Sequence, residues 1–399
     1  MPLDTGFVDG MYPHQAERLT AALDAAGVEA LVASSTANVA YVTGFASLAR
    51  SVYGTPGLAV FSRHGTALVV PAIDLAAVVA DSIDADHVVA FGRFASSYTD
   101  PLGAVSRRLK SLDDARAASP AEALVRALDA LGVEGAVALD ESGLGAGLAR
   151  ELDAALAPRR AVPAADRFRA ARRAKGPWEI ESLARALDVA ETAANEVIQM
   201  LAPGVTEADA ATAFARAALE RRGHAYGVVV AFGERAAIPA PHPTDRALRA
   251  GDLVRLDLGC VARGYHAEVA RVCVMGEPSE AQARAHDAIQ AALEAALDAV
   301  GPGTSARAVF DAAVSAARAA GLADYDRVHV GYGIGLEPCE PPELAAGSAA
   351  VLEAGEVLRI ETPYYRHGWG GLALKDTVLV GTTGARVLNR SRRGLVVLD

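Results

Sequence analysis

The sequence predicts an α/β domain followed by an α+β domain, on three observations. Helix and strand patterns alternate through the first ~150 residues, a typical domain length. A polar, basic stretch punctuated by Pro163, Ala161–Gly176, then breaks the pattern. Beyond it two helices come first, and strand signals gather from Tyr226 onward. A chain of 399 residues has room for both domains. The boundaries read as 1–165 for the first domain, 166–176 for the linker and 177–399 for the second.

In the first domain, Gln15–Ala26 carries Leu19 and Leu23 at helical spacing, and Gly27 stops it. Ala30–Ala33, Val39–Val42, Leu58–Phe61, Ala67–Val70, Val88–Phe91 and Ala136–Leu139 are short apolar runs that read as strands. Ile73–Asp81 and Pro120–Leu131 read as helices. In the second domain, Pro177 suits a helix N1 position, and Glu179 and Glu181 suit the positive end of the helix dipole. That helix runs to about Leu201, before Pro203-Gly204. A second covers about Glu207–Arg222, with Thr206 as N-cap. Strands follow at Tyr226–Ala231, Leu253–Leu258, Glu268–Val274, Val328–Gly331, Val357–Thr362 and Thr377–Val380. Two alanine-rich helices, Glu280–Val300 and Ser305–Ala320, lie between the third and fourth of these.

Composition narrows the function. Hydrophobic residues make up 52% and charged residues 22%, as in a globular protein with a sizeable core. The net charge of -11 argues against nucleic-acid or anionic-membrane partners. No apolar run reaches the ~20 residues needed to span a bilayer. The first residues lack a basic, then apolar, signal-peptide pattern. Three cysteines without a CxxC pair give neither a disulfide framework nor a zinc knuckle. A cytoplasmic protein acting on a small molecule is expected.

The chemistry concentrates in LVRLDLGCVARGYHAEVARVCVMG, residues 253–276. Asp257 and Glu268 stand on successive strands joined by a tight turn. Paired acids of this kind serve hard cations, cationic substrates or acid–base chemistry. In an apolar strand the alternative is a structural acid paired with Arg255 or Arg271.

Ordered motifs along nearly the whole chain resemble the M24 family of aminopeptidase P, prolidase and creatinase. Asn38–Phe45 (NVAYVTGF) is similar to its "N-x-x-Y-x-T-G-F" segment. Arg172, Lys175, Glu179 and Ile180 match its linker-helix signature. Pro203-Gly204 with Thr206-Glu207 match "PG-x-TE". His242-Pro243 followed by Gly251-Asp252 matches "H…GD", Gly331–Glu340 (GYGIGLEPCE) matches "GHGIGLExHE", and Glu361 with Pro363-Tyr364 matches "EPGYY". The resemblance implies a creatinase-type α/β N-terminal domain, a pita-bread α+β C-terminal domain and a homodimer.

It also implies a ligand set for two metal ions, and here the sequence departs. Asp257 and Glu361 stand in place. The second aspartate is Glu268, the histidine is Tyr332, and the last glutamate is Lys375. An ammonium repels a cation rather than ligating it. The residues therefore lead to the expectation of no metal, no cofactor and a metal-independent hydrolase or lyase. It would cleave a C–N bond of a small amino-acid-like, amide or guanidino substrate, as creatinase does. In this reading His242 shuttles a proton, while Asp257, Glu268 and Glu361 hold the substrate. Lys375 and Tyr332 face a developing oxyanion, with Cys339, Glu340 and Arg50 as further substrate contacts. Ala270 stands where creatinase has a substrate-binding glutamate, which argues against creatine itself. Two other readings stay open: a metal-dependent Xaa-Pro dipeptidase or aminopeptidase, and a non-catalytic binding module.

Overall fold

The computed structural model describes residues 11–83 and 85–399. The segment read against a signal peptide falls largely outside them. The chain divides into two compact units that meet in sequence at Arg172 and Arg173.

The first unit alternates helices and strands in the order α1 (Met11–Ala26), β1 (Ala30–Ala33), α2 (Thr36–Thr43), α3 (Leu48–Tyr53), β2 (Leu58–Ser62), β3 (Gly65–Pro71), α4 (Leu75–Ala80), β4 (His87–Phe91), α5 (Ala104–Asp114), α6 (Pro120–Ala130), β5 (Val137–Leu139), α7 (Ala146–Leu156), β6 (Ala161–Pro163) and α8 (Ala165–Arg173). Its sheet runs β4-β3-β2-β1-β5-β6, with the β1/β2 and β2/β3 pairs antiparallel and the rest parallel. Leu124, Leu128, Val60, Val69 and Leu152 are among its core residues. Val39–Val42, expected as a strand, lies inside α2. Ser35 caps the Asn38 N–H and Gly44 closes the helix at φ 73°. Two good caps around eight residues outweigh the strand preference of two valines. Helix α5 went unpredicted; it buries no residue, and only Val105, Leu109 and Leu112 mark its apolar side.

The second unit opens with α9 (Pro177–Met200) and α10 (Glu207–Glu220). Strands β7 (His224–Phe232), β8 (Leu253–Ala262) and β9 (Tyr265–Met275) follow, then α11 (Glu280–Ala299) and α12 (Ala306–Ala319). The chain ends in β10 (His329–Gly333), β11 (Glu340–Ala345), β12 (Val357–Glu361), β13 (Tyr364–Arg366), β14 (Gly370–Leu372), β15 (Lys375–Val380), β16 (Ala385–Val387) and β17 (Val396–Leu398). The main path of the large sheet is β11-β10-β12-β15-β9-β8-β7. Helices α9 and α10 pack on β7–β9 through Val189, Val197, Phe214, Val254 and Leu256. Helices α11 and α12 pack through Ile289, Leu293, Val309 and Phe310 against residues that include Leu358, Ile360 and Val378.

Register decides what this sheet presents. Glu361 pairs with Lys375, Lys375 with Ala270, and Ala270 with Asp257. Directly opposed residues share a face, so these four form one row across four strands. Glu268 lies two residues from Ala270 and Arg359 two from Glu361, which puts both on that face as well. The neighbours Arg271 and Asp376 turn to the other face and bond to each other at 2.9 Å.

Candidate functional site

The row produces a buried cluster of charge. Lys375 Nζ lies 2.9 Å from Asp257 Oδ1, 2.9 Å from Glu268 Oε2 and 3.2 Å from Glu361 Oε2. The small side chain of Ala270, between Lys375 and Asp257 in the row, leaves the space that the ammonium crosses. A second cation, Arg359, reaches Glu268 at 2.6 Å and Glu361 at 3.5 Å. Tyr226 donates to the other oxygen of Glu268 at 2.6 Å. On the far side of Glu361 stand His329 Nδ1 at 3.7 Å and Arg327 Nη2 at 3.8 Å.

These neighbours set the protonation states. Burial pushes Glu268 up, but Lys375, Arg359 and the Tyr226 hydroxyl outweigh it and hold the acid down at about 2. Burial likewise opposes ionisation of Glu361, and Lys375, Arg359 and His329 hold it below the usual range. Asp257 moves the other way. Its burial outweighs Lys375, and Glu268 and Glu361 add to the rise. The difference is structural: Lys375 is shared three ways, and Arg359 serves only the two glutamates. Lys375 itself is raised, because the three carboxylates outweigh its burial. Burial and the shared cations thus push Asp257 up and the two glutamates down.

The remaining residues singled out from the sequence are placed as follows. His242 is exposed in the loop between β7 and β8, and its carbonyl accepts from Arg235 at 2.9 Å. The buried Glu207 anchors that loop. It accepts from the N–H and hydroxyl of Thr244, from Arg235 and from the Phe232 N–H. Tyr332, read as an oxyanion partner, instead points its hydroxyl at Glu343, 3.3 Å away. Its ring lies against His329, 4.4 Å between centroids, and under Arg359. Cys339 is exposed, with its sulfur 3.8 Å from Arg359 Nη2. Glu340, read as a substrate contact, is buried and bonded to Lys175 at 2.9 Å. Arg50, read as a substrate clamp, donates within its own unit to the carbonyls of Ser34 and Gly143 at 2.8 and 3.0 Å. Arg271 and Arg255, the structural partners considered for the acids, take other partners. Arg271 bonds Asp376, and Arg255 bonds backbone carbonyls.

Sequence reasoning missed Tyr226, Arg359, Arg327 and His329. A signal existed for Arg359: it is the one charge inside the apolar run Val357–Ile360, at strand spacing from Glu361. Tyr226 had none, because a tyrosine at the start of a strand is ordinary.

The chain matches the profile described as metallopeptidase family M24 over residues 181–382, and the creatinase/prolidase N-terminal domain over residues 15–174. The probable dipeptidase PepE of Mycobacterium tuberculosis is 36% identical over 239 residues, 59% of this chain and 64% of that protein. The Xaa-Pro dipeptidase of Pyrococcus furiosus is 31% identical over 221 residues, 55% of this chain and 63% of that protein. The match thus spans less than two thirds of these curated relatives. Among solved structures, dipeptidase PepE from Mycobacterium ulcerans superposes with a TM-score of 0.77 at 28% identity, covering 99% of each chain. An Xaa-Pro dipeptidase from Bacillus anthracis superposes with a TM-score of 0.82 at 21% identity, covering 97% of this chain and 99% of that one, a likeness of fold.

These findings overturn the expectation of a metal-independent, creatinase-like hydrolase of a guanidino or similar C–N bond. The named relatives are dipeptidases and Xaa-Pro dipeptidases. The expectation rested on a few site positions, while the similarity extends over both domains and favours the peptidase alternative. The family's metals pose a separate question of fit. With Lys375 in contact with all three carboxylates and Arg359 with two, the donors as arranged do not fit a pair of divalent cations. Among the described residues, no group of three or more His, Cys, Asp or Glu side chains is placed to hold a metal ion.

Proposed function

Since the chain belongs to metallopeptidase family M24, we propose that it is a dipeptidase and that Xaa-Pro dipeptides are its substrate class. The observation that carries this reading is the charge balance of the site. Asp257, Glu268 and Glu361 face Lys375 and Arg359, with Arg327 at the edge. Three acids against three permanent cations favour a ligand that adds no net charge, and a dipeptide at neutral pH is a zwitterion. The relatives' names point to the same class.

In this reading Glu268 and Glu361 stay ionised and fix the two cations. The cations face the carbonyl oxygen of the scissile bond as charge develops on it. Asp257, the carboxyl that burial raises above its usual range, takes a proton from the attacking water. His242 delivers a proton to the leaving nitrogen from the loop side. Three free cysteines suit a reducing compartment, and a homodimer, the state the family resemblance implies, is expected by light scattering.

The test is proline release from Leu-Pro and Ala-Pro, against Leu-Ala as control, with and without added divalent cation. Release of proline is expected, and His242→Ala lowers kcat by roughly 10²–10⁴-fold. If no dipeptide is cleaved under either condition, the reading fails.

A further inference from the structure

Arg255 stands on β8 two residues before Asp257, on the same face of the sheet, and is fully buried. Its Nη2 donates to the carbonyls of Ile238 at 2.5 Å and Pro239 at 3.1 Å. Its guanidinium lies 4.9 Å from the centre of the Tyr365 ring. Its Nε and Nη1 are buried with no hydrogen-bond partner. Two carbonyls and an aromatic face are incomplete compensation for a buried cation. An apolar side chain of similar length would fill the space without that cost. Packing stability therefore does not explain an arginine here.

Its connections offer an explanation. Arg255 ties three segments together: the strand that carries Asp257, the loop that leads to His242, and Tyr365, four residues beyond Glu361. The other side of the loop is fixed independently. Glu207 holds Thr244 and Arg235, and Arg235 holds the His242 carbonyl. His242 is thus suspended between two anchored points, Pro239 held by Arg255 on one side and Thr244 held by Glu207 on the other.

We propose that Arg255 is a positioning residue, which fixes the His242 loop relative to the carboxylate strand and so sets the approach of His242 to a bound peptide. This rests on His242 acting in hydrolysis, as proposed above. A displacement of ~1 Å at a catalytic group costs on the order of 10²-fold in rate.

The experiment measures kcat, KM and melting temperature for Arg255→Met, Arg255→Lys, His242→Ala and the Arg255→Met/His242→Ala double variant. The expected result is that Arg255→Met melts at or above the wild-type temperature, while kcat falls on the order of 10²-fold and KM barely moves. Arg255→Lys, which keeps one donor to the loop, recovers part of the rate and gives a folded variant to compare. In the His242→Ala background, Arg255→Met causes no further loss, because its effect runs through His242. Positioning is overturned if Arg255→Met keeps wild-type kcat while His242→Ala loses it. It is also overturned if the two losses multiply in the double variant, or if kcat falls only in step with a lowered melting temperature. If His242→Ala itself keeps full kcat, the role of His242 fails instead.

Discussion

Two buried carboxylate centres, one in each unit, solve the same electrostatic problem in opposite ways. In the first unit, Asp140 is fully buried and surrounded by neutral donors. One oxygen accepts from the Ser34 N–H at 3.1 Å, the Ser35 N–H at 2.9 Å and Asn38 Nδ2 at 2.7 Å, and the other accepts from the N–H and hydroxyl of Ser142. Burial pushes this acid up, yet those dipoles hold it below its usual range. In the second unit, Asp257, Glu268 and Glu361 are held by shared cations. Dipoles that point at one atom fix a loop geometry and do nothing else. Cations shared among several acids leave the protons unevenly distributed, and that unevenness is useful for chemistry. Asn38 of the first-domain motif therefore acts as a structural clamp, while Lys375 belongs to a charge balance shared among three acids.

The largest effect should follow from breaking the shared balance. Lys375→Met takes from Asp257 the cation it contacts and leaves Arg359 to face Glu268 and Glu361, in a space that is about nine-tenths buried. A loss of about 3–5 kcal/mol is expected at neutral pH, as for other broken buried pairs. Asp257 is already raised and loses the ammonium that opposed the rise, so it binds a proton more readily folded than unfolded, and the variant regains stability as pH falls toward 5. Urea midpoints between pH 5 and 8 measure this, and an unchanged midpoint would show that the cluster is not energetically coupled.

Asp140→Asn comes next, at about 1–3 kcal/mol, because a neutral amide accepts more weakly and turns a donor toward other donors. The pH signature also differs. Asp140 and Glu268 both have lowered folded-state values. Each adds stability above its unfolded value near 4, and that stability is lost as pH falls through the folded value, about 2 for Glu268. Acid denaturation of Asp140→Asn should show a shallower slope below pH ~4. A slope equal to wild type would mean that Asp140 titrates normally.

Tyr226→Phe removes one bond to an acid that keeps Lys375 and Arg359, expected to cost about 1 kcal/mol and to raise Glu268. Carboxyl resonances followed by NMR titration would register the rise, and a Glu268 value left near 2 would assign its depression to Lys375 and Arg359 alone. The smallest effect belongs to Cys339→Ser. The thiol is exposed, and its one hydrogen bond among the described residues is a long one from Arg359 at 3.8 Å. A change within about 0.5 kcal/mol is expected by denaturant melt. A larger one would mean that the sulfur helps hold the guanidinium.

Much of the fold was legible because periodicity reports burial. The second-unit strands and helices follow their apolar spacing closely, and Thr206 caps α10 as the sequence signals, with Asp209 completing the box in the structure. In the first unit, α2 was misread because capping won over strand propensity. At the site, Asp257, Glu268 and Glu361 were recognisable as acids in apolar strands, and Lys375 through its place in the family motif. Tyr226 and His329 carried no such mark. Arg50 and Glu340 stand in motif segments, but each is taken up by a nearby partner that the sequence does not identify.

The sequence by itself determined the two-domain plan, the family, and the presence of a cation among acids where a metal-binding pattern was expected. Those are matters of residue type and spacing along the chain. Only the tertiary structure decided which charges meet. Pairing β12 with β15 and β15 with β9 sets Glu361, Lys375, Ala270 and Asp257 in one row. A one-residue slip in either pairing would turn Lys375 to the face where Asp376 now meets Arg271. Register is a property of strands brought together from distant parts of the chain, and no local pattern records it.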